Sequence, residues 1–142
     1  MNKTKVDSSS LETLKGFLHS NKLPFEDIIL NGNEFFIYEN GGDLIGSCGL
    51  EFYGDYALLR SLATKTAVRG TGLGKEILKD IIGVAKKKSV KTIYLLTETA
   101  PVFFEKNGFR KQSREEAPTE IKSSSEFSSV CPVSAVLMYL EI

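Results

Sequence analysis

The stretch Arg69-Gly70-Thr71-Gly72-Leu73-Gly74-Lys75 concentrates the residue types best suited to binding chemistry. Closely spaced glycines let a backbone turn tightly and come near a ligand. Their N–H groups, at the start of a helix, form an anion site that the helix dipole strengthens. Arg69 and Lys75 add positive charge beside them, so the loop is expected to hold phosphate. Two common phosphate motifs do not fit. A P-loop requires Gly-x-x-x-x-Gly-Lys-Ser/Thr, but here Arg69 stands where the first glycine belongs and Glu76 where a hydroxyl must bind magnesium. A dinucleotide loop requires Gly-x-Gly-x-x-Gly. Counted from Gly70 or from Gly72, its third glycine would fall on Lys75 or on Ile77.

The elements that must position this loop are legible from periodicity. Ser9-Ser10-Leu11-Glu12 has capping-box spacing and predicts a first helix, with Leu11, Leu14 and Leu18 on one face and an end near Asn21. Pro24-Phe25-Glu26-Asp27 predicts a short second helix with proline in its first turn. Three strands follow: Glu34 to Tyr38, Leu44 to Phe52 after a turn at Asn40-Gly41-Gly42-Asp43, and Tyr56 to Thr64 after Gly54-Asp55. They are expected to form an antiparallel meander. A long helix from Gly72 to Lys88 carries Leu73, Ile77, Leu78, Ile81 and Ala85 as its apolar stripe. The apolar strand Thr92 to Leu96, arriving after that helix, should run parallel to the strand before the loop. Pro101 opens another helix that Asn107-Gly108 closes near Lys106. A strand over Phe109 to Gln112, a polar loop over Arg114 to Ser125 with room for a helical turn, and a closing strand over Val133 to Ile142 complete the chain. The order predicts an α/β (mixed α+β) fold around one mixed sheet.

Composition removes several function classes. A chain of 142 residues, 42% hydrophobic and 25% charged, reads as one domain over 1–142 with a core of its own. Lys plus Arg and Asp plus Glu both number 18, so no overall field draws it to nucleic acid or membrane. The basic N-terminus is not followed by an apolar run, and nowhere do about 18 apolar residues stand together. Cys48 and Cys131 are too few for a disulfide framework, and with His19 as the only histidine no metal-ligand spacing exists. A cytoplasmic protein without a bound metal is the expectation.

Arg69-x-x-Gly72-x-Gly74 resembles the pyrophosphate loop of the GNAT superfamily of N-acetyltransferases. Ala100-Pro101-Val102-Phe103-Phe104-Glu105-Lys106-Asn107-Gly108-Phe109 is similar to that family's second signature, Ala-x-x-Phe-Tyr-x-x-x-Gly-Phe. The resemblance covers Phe35 to Phe109. It implies a central, mostly antiparallel sheet of six to seven strands whose two parallel strands splay apart around a coenzyme A arm. It implies acetyl-coenzyme A as acetyl donor, held by Leu62, Ala63, Thr64, Arg69, Gly70, Thr71, Gly72, Leu73, Gly74, Lys75, Thr97, Ala100, Phe103 and Phe104. A backbone N–H near Leu62 or Ala63 would meet the thioester carbonyl. Leu59-Arg60-Ser61-Leu62-Ala63, Leu95-Leu96-Thr97-Glu98-Thr99-Ala100 and Cys131-Pro132-Val133-Ser134-Ala135 look like the arsenic-resistance N-acetyltransferase subgroup and the acetyltransferase domain of N-acetylglutamate synthase. Both imply a small amino-acid-like amine as acceptor, with Arg60 gripping its carboxylate and Tyr53 nearby. Homodimers through the C-terminal strand are common in the family.

Amine acetylation needs a base for the ammonium, donors for the developing oxyanion and a route for the leaving thiolate. Glu51 is the candidate base, directly or through water, or else a contact for the ammonium. The family's usual acid is the signature tyrosine, and here Phe104 replaces it. Thr97, Ser134, Cys131 and Tyr53 are alternative donors, or the thiolate leaves without one. Plain structural roles stand beside each assignment: an ion-pair residue for Arg60, a solvated strand carboxylate for Glu51, packing for Phe103 and Phe104. Other acceptors (a polyamine or a protein N-terminus) and a non-catalytic acyl-CoA-binding module remain open alternatives.

Overall fold

The computed structural model describes residues 1–142. Its elements run β1 (Asn2–Lys5), α1 (Leu11–Ser20), β2 (Glu34–Asn40), β3 (Asp43–Tyr53), β4 (Tyr56–Thr64), α2 (Leu73–Lys87), β5 (Thr92–Thr97), α3 (Pro101–Lys106), β6 (Arg110–Gln112), α4 (Thr119–Lys122) and β7 (Val136–Glu141). The strands form one sheet in the order β1-β2-β3-β4-β5-β7-β6. Every neighbouring pair is antiparallel except β4 with β5. This is the mixed, mostly antiparallel sheet with flanking helices that the sequence predicts.

Strand alternation sorts the apolar side chains onto two faces. On one face Phe36, Tyr38, Leu50, Leu59 and Ile93 pack with Ile77, Leu78, Ile81 and Ala85 of α2 and Phe104 of α3. On the other, Phe35 and Ile37 pack with Leu14 and Leu18 of α1, and farther along Leu58, Tyr94 and Leu137 pack with Ile121 of α4. Ile81 is fully buried, so truncation to alanine is worth about 2–5 kcal/mol. Gly49 on β3 lies under the Phe35 ring, and a Cβ there would collide with it.

The structure corrects two local expectations, the capping box and the Pro24 helix, and adds detail at two other places. The basic N-terminal residues form β1, an exposed edge strand whose Lys3 Nζ lies 3.0 Å from Asp80. The capping box does not form: Ser10 makes no side-chain cap bond, and Asp7 Oδ1 instead accepts from the backbone N–H groups of Ser9 and Ser10. Pro24 to Asp27 is irregular rather than helical, and an ion pair with Arg60 ties Asp27 to β4 instead. Arg114 to Ser125, read as a polar loop with room for a helical turn, contains such a turn as α4, and a single π-turn over Glu126–Val130 follows it.

Candidate functional site

Strands β4 and β5 pair only from Tyr56 to Leu58 against Thr92 to Tyr94 and then part. A parallel pair that separates leaves backbone groups of both edges without partners, and buried backbone groups require them. Between the parted strands lies a cavity of about 840 Å³. Leu62, Ala63 and Thr64 line one wall and Leu95, Leu96 and Thr97 the other, with Ala100, Phe103 and Phe104 of α3 closing it.

A bulge shapes the β4 wall. Arg60 pairs with Gly49 and Ala63 with Ser47, so Ser61 and Leu62 together oppose Cys48. Such a bulge re-aims the backbone. Ser61 sits there at φ 61°, a left-handed conformation that is strained for a side-chain-bearing residue. The buried Ser47 hydroxyl donates to the Ser61 carbonyl at 2.8 Å and holds the distortion.

The glycine loop stands at the cavity mouth. Gly72 has φ 89° and serves as N-cap of α2. The N–H groups of Gly70, Gly72, Leu73, Gly74 and Lys75 find no acceptor within the chain, whereas that of Glu76 bonds to the Gly72 carbonyl. Arg69 is exposed, with its Nη2 2.8 Å from Asn21 Oδ1, and both Arg69 and Gly74 border the cavity. Among the predicted cofactor-binding residues, Leu62, Ala63, Thr64, Arg69, Gly74, Thr97, Ala100, Phe103 and Phe104 line the cavity. Gly70, Thr71 and Gly72 form the exposed rim, Lys75 is exposed on the first turn of α2, and Leu73 is buried in the core beneath. Orphan N–H groups and cations at the mouth, with an apolar channel behind, suit an elongated ligand with an anionic head.

The opposite end of the cavity is built from charge. Arg60 projects from β4 with no exposed side-chain surface. Its Nη1 and Nη2 bond to Asp27 at 2.6 and 2.8 Å, and Nη1 also bonds to Glu51 Oε2 at 3.0 Å. Nε bonds to Ser61 Oγ at 3.2 Å, and Nη2 reaches the Pro24 carbonyl at 3.5 Å. Glu126 Oε2 lies 3.5 Å from Nε. Every guanidinium N–H therefore already has an acceptor, which differs from the open fork expected for gripping a substrate carboxylate. Glu51 also differs from expectation. Its Oε1 accepts from the Tyr53 hydroxyl at 2.6 Å and its Oε2 from Arg60, and neither Glu51 nor Tyr53 borders the cavity. The structure thus places both behind Arg60.

Burial alone would raise the Asp27 carboxyl, but bonds from Arg60 and Ser125 hold it below the usual carboxylate range. Burial dominates at Glu126 and pushes it up to about 7, with Arg60 opposing and Glu51 and Asp27 reinforcing the rise. Burial also pushes the Cys131 thiol, on the cavity wall, up to about 12, so it stays protonated near neutrality. Of the other donors, Thr97 Oγ1 accepts from the Ala100 N–H at 3.1 Å and Ser134 is exposed outside the cavity. Phe104 stacks edge-to-face between Phe103 and Phe109 with centroids 5.1 and 5.5 Å away.

Asp27, Ser125 and Glu126 escape sequence reasoning because they lie far from Arg60 along the chain. The only local signal is a glutamate following Ser123-Ser124-Ser125, just past the segment read as a polar loop.

Comparison with known proteins gives a consistent picture. A family model described as Acetyltransferase (GNAT) domain matches residues 31–111. An uncharacterized N-acetyltransferase of Chlorobaculum tepidum is 30% identical over 101 residues, a match that spans 70% of this chain and 64% of that relative. A Mycobacterium tuberculosis protein solved in complex with CoA and NLQ superposes with a TM-score of 0.80 at 20% identity, over 100% of this chain and 99% of that one. N-acetylglutamate synthase from Neisseria gonorrhoeae, complexed with coenzyme A and N-acetyl-glutamate, superposes with a TM-score of 0.79 at 18% identity, over 99% of this chain and 35% of the synthase. No helix of the chain is long and apolar enough to cross a membrane. With the matched residues running from the turn before β2 into β6 and so including the splayed strands and the glycine loop, the chain belongs to the GNAT family of acetyltransferase domains.

Proposed function

We propose that the protein transfers an acetyl group from acetyl-coenzyme A to the amine of a small molecule, both bound together in the cavity between β4 and β5. The observation that carries this reading is the continuity of one 840 Å³ cavity from the glycine loop to the Arg60 cluster. The residues fit the donor: orphan N–H groups of Gly70 and of Gly72 to Lys75 and the Arg69 guanidinium suit its pyrophosphate, and the parted β4 edge over Leu62 to Thr64 suits its pantetheine amides. Coenzyme A stands in both solved relatives described above. When bound, acetyl-coenzyme A supplies an activated carbonyl and a good leaving group.

The chain's own groups perform the remaining work. Holding amine and thioester in one enclosed space supplies much of the rate. The bulge at Ser61–Leu62 presents backbone toward the cavity, where an N–H can stabilise the developing oxyanion. The new N–C bond forms from the amine lone pair as the C–S bond breaks, and the proton shed by nitrogen leaves on sulfur. Phe104 cannot relay that proton. The Cys131 thiol, protonated and on the wall, can relay it by giving its own proton to the sulfur and taking up the one shed by nitrogen.

An amino-acid-like acceptor is supported by the likeness to N-acetylglutamate synthase. For such an acceptor Arg60 must release one of its present partners. The filled guanidinium, with three carboxylates around one cation, favours instead an acceptor that brings an ammonium and no carboxylate to this end. Thiol release from acetyl-coenzyme A with free amino acids, diamines and short peptides, alongside coenzyme A binding, tests both levels. Turnover of diamines above amino acids is the expected result. Tight coenzyme A binding without turnover of any amine would replace the enzyme with an acyl-CoA-binding module.

A further inference from the structure

We propose that Glu126 is the base that takes the proton from the acceptor's ammonium, with Asp27, Glu51 and Arg60 as the set that positions it. The inference rests on the acetyltransferase reading above and assigns a catalytic residue within it.

Three carboxylates surround Arg60, and their bonding separates them. Asp27 has both oxygens engaged, Oδ1 by Arg60 and Oδ2 by Arg60 and Ser125. Glu51 has both engaged, by Tyr53 and Arg60. The Glu126 carboxylate receives no hydrogen bond from the chain, and its nearest cation is Arg60 Nε at 3.5 Å. It is also the one carboxylate of the three on the cavity wall. A base must have a free lone pair facing the proton it abstracts, and only Glu126 meets that condition.

The backbone around Glu126 is fixed rather than loose. The Cys131 N–H bonds to the Glu126 carbonyl at 2.8 Å and closes the π-turn. Ser125, immediately before, donates to Asp27 Oδ2 at 2.5 Å and ties the segment to the charge cluster. Single π-turns recur where a side chain must be aimed at a site. Glu126 is 4% exposed, and the groups facing it are Arg60 from β4, Glu51 from β3, Asp27 from the α1–β2 connection and Cys131 on its own segment. Burial and the two neighbouring acids oppose its ionisation while Arg60 favours it, which leaves it poised near 7. A base poised there is half ionised at neutrality and still basic enough to accept a proton.

The transfer balances. One proton passes from the ammonium to a Glu126 oxygen, directly or through one water, and leaves neutral amine. After acetyl transfer, amide and coenzyme A thiol depart and Glu126 returns its proton to solvent.

The test compares wild type, Glu126→Gln and Glu126→Asp. Wild-type kcat/KM should rise with pH through an apparent pKa near 7. Glu126→Gln should lose roughly 10²–10⁴-fold in kcat together with that limb, while coenzyme A affinity stays at the wild-type value. Glu126→Asp, which keeps the carboxylate, should retain the limb and recover part of the rate. A readout independent of turnover is calorimetry of amine binding near pH 6 in buffers of different ionisation enthalpy: wild type should release protons as the ammonium ionises Glu126, and Glu126→Gln should release none. A Glu126→Gln enzyme with wild-type kcat and an unchanged limb, or unchanged proton release, would overturn the assignment and leave the acetyltransferase reading standing. A wild type that binds coenzyme A yet acetylates no amine would overturn that reading and the assignment with it.

Discussion

The two ends of the cavity are made in opposite ways. The mouth is a contiguous stretch of chain, Arg69 to Lys75, that offers mainly backbone N–H groups and two left-handed glycines, Gly70 and Gly72. The far end is a side-chain cluster assembled from the α1–β2 connection, β3, β4 and the π-turn, joined by ion pairs. A backbone site is local, tolerates sequence change at its side chains and leaves a spacing signature. A charge cluster is non-local, depends on every member and leaves no signature. Binding of a common donor suits the first construction and selection of a particular acceptor suits the second.

The difference is sharpest in what each end does to stability. Arg60 is the only cation inside a group of carboxylates, so Arg60→Ala leaves buried negative charge uncompensated. A loss of about 3–5 kcal/mol is expected, large enough to unfold much of the population, and urea denaturation will measure it. A loss below about 1 kcal/mol would mean that water enters the cluster freely and that its ends are less unlike than they look.

Glu126 breaks the comparison from within, since it is expected to be unfavourable for folding. Its folded pKa, about 7, is raised above the ordinary 4.5. The associated stability is therefore full below the ordinary value and is lost as pH rises through 7. Glu126→Gln should stabilise the protein above pH 7 by up to about 3 kcal/mol relative to wild type, with the gain vanishing toward pH 4.5. Thermal melts across that range check it. Asp27 has the opposite sign. Its lowered pKa gives stability that is present above the ordinary carboxylate range and disappears as pH falls below it. The cluster thus favours folding most strongly in the window between the two, and a variant both steadier and slower at pH 8 would mark a residue kept for function.

At the mouth the effects are smaller. Gly72→Ala forces a side chain into φ 89°, at a cost of about 1–2 kcal/mol. If the loop relaxes to avoid that strain, coenzyme A should bind roughly tenfold more weakly, which isothermal titration can read. Smaller still is Thr97→Val. It removes the acceptor for the Ala100 N–H at the start of α3, and about 1 kcal/mol of stability should be lost.

Much of the fold was legible because periodicity is local. The stripe Leu73, Ile77, Leu78, Ile81, Ala85 predicted α2 and is the buried face of that helix. The alternation from Glu34 to Thr64 predicted the strands of the meander within a few residues. The N-terminal strand was invisible because Asn2 to Lys5 bury nothing and gain their structure only by pairing with β2. The Pro24 to Asp27 segment was misread for a related reason: its helix signal is local, whereas the ion pair that ties Asp27 to β4 is long-range.

By itself the sequence determined the glycine loop at the cavity mouth. Gly72, Gly74 and Arg69 present conformations and a charge that short spacing dictates, so no distant partner was needed to read them. The bulge at Ser61, the burial of Glu51 behind Arg60 and the exposure of Glu126 to the cavity were decided only by tertiary structure. The bulge depends on the register of β3 against β4, and the fates of Glu51 and Glu126 depend on which carboxylate reaches the guanidinium and which is left over. That competition is between residues up to 99 positions apart along the chain, such as Asp27 and Glu126, and close packing around one cation settles it.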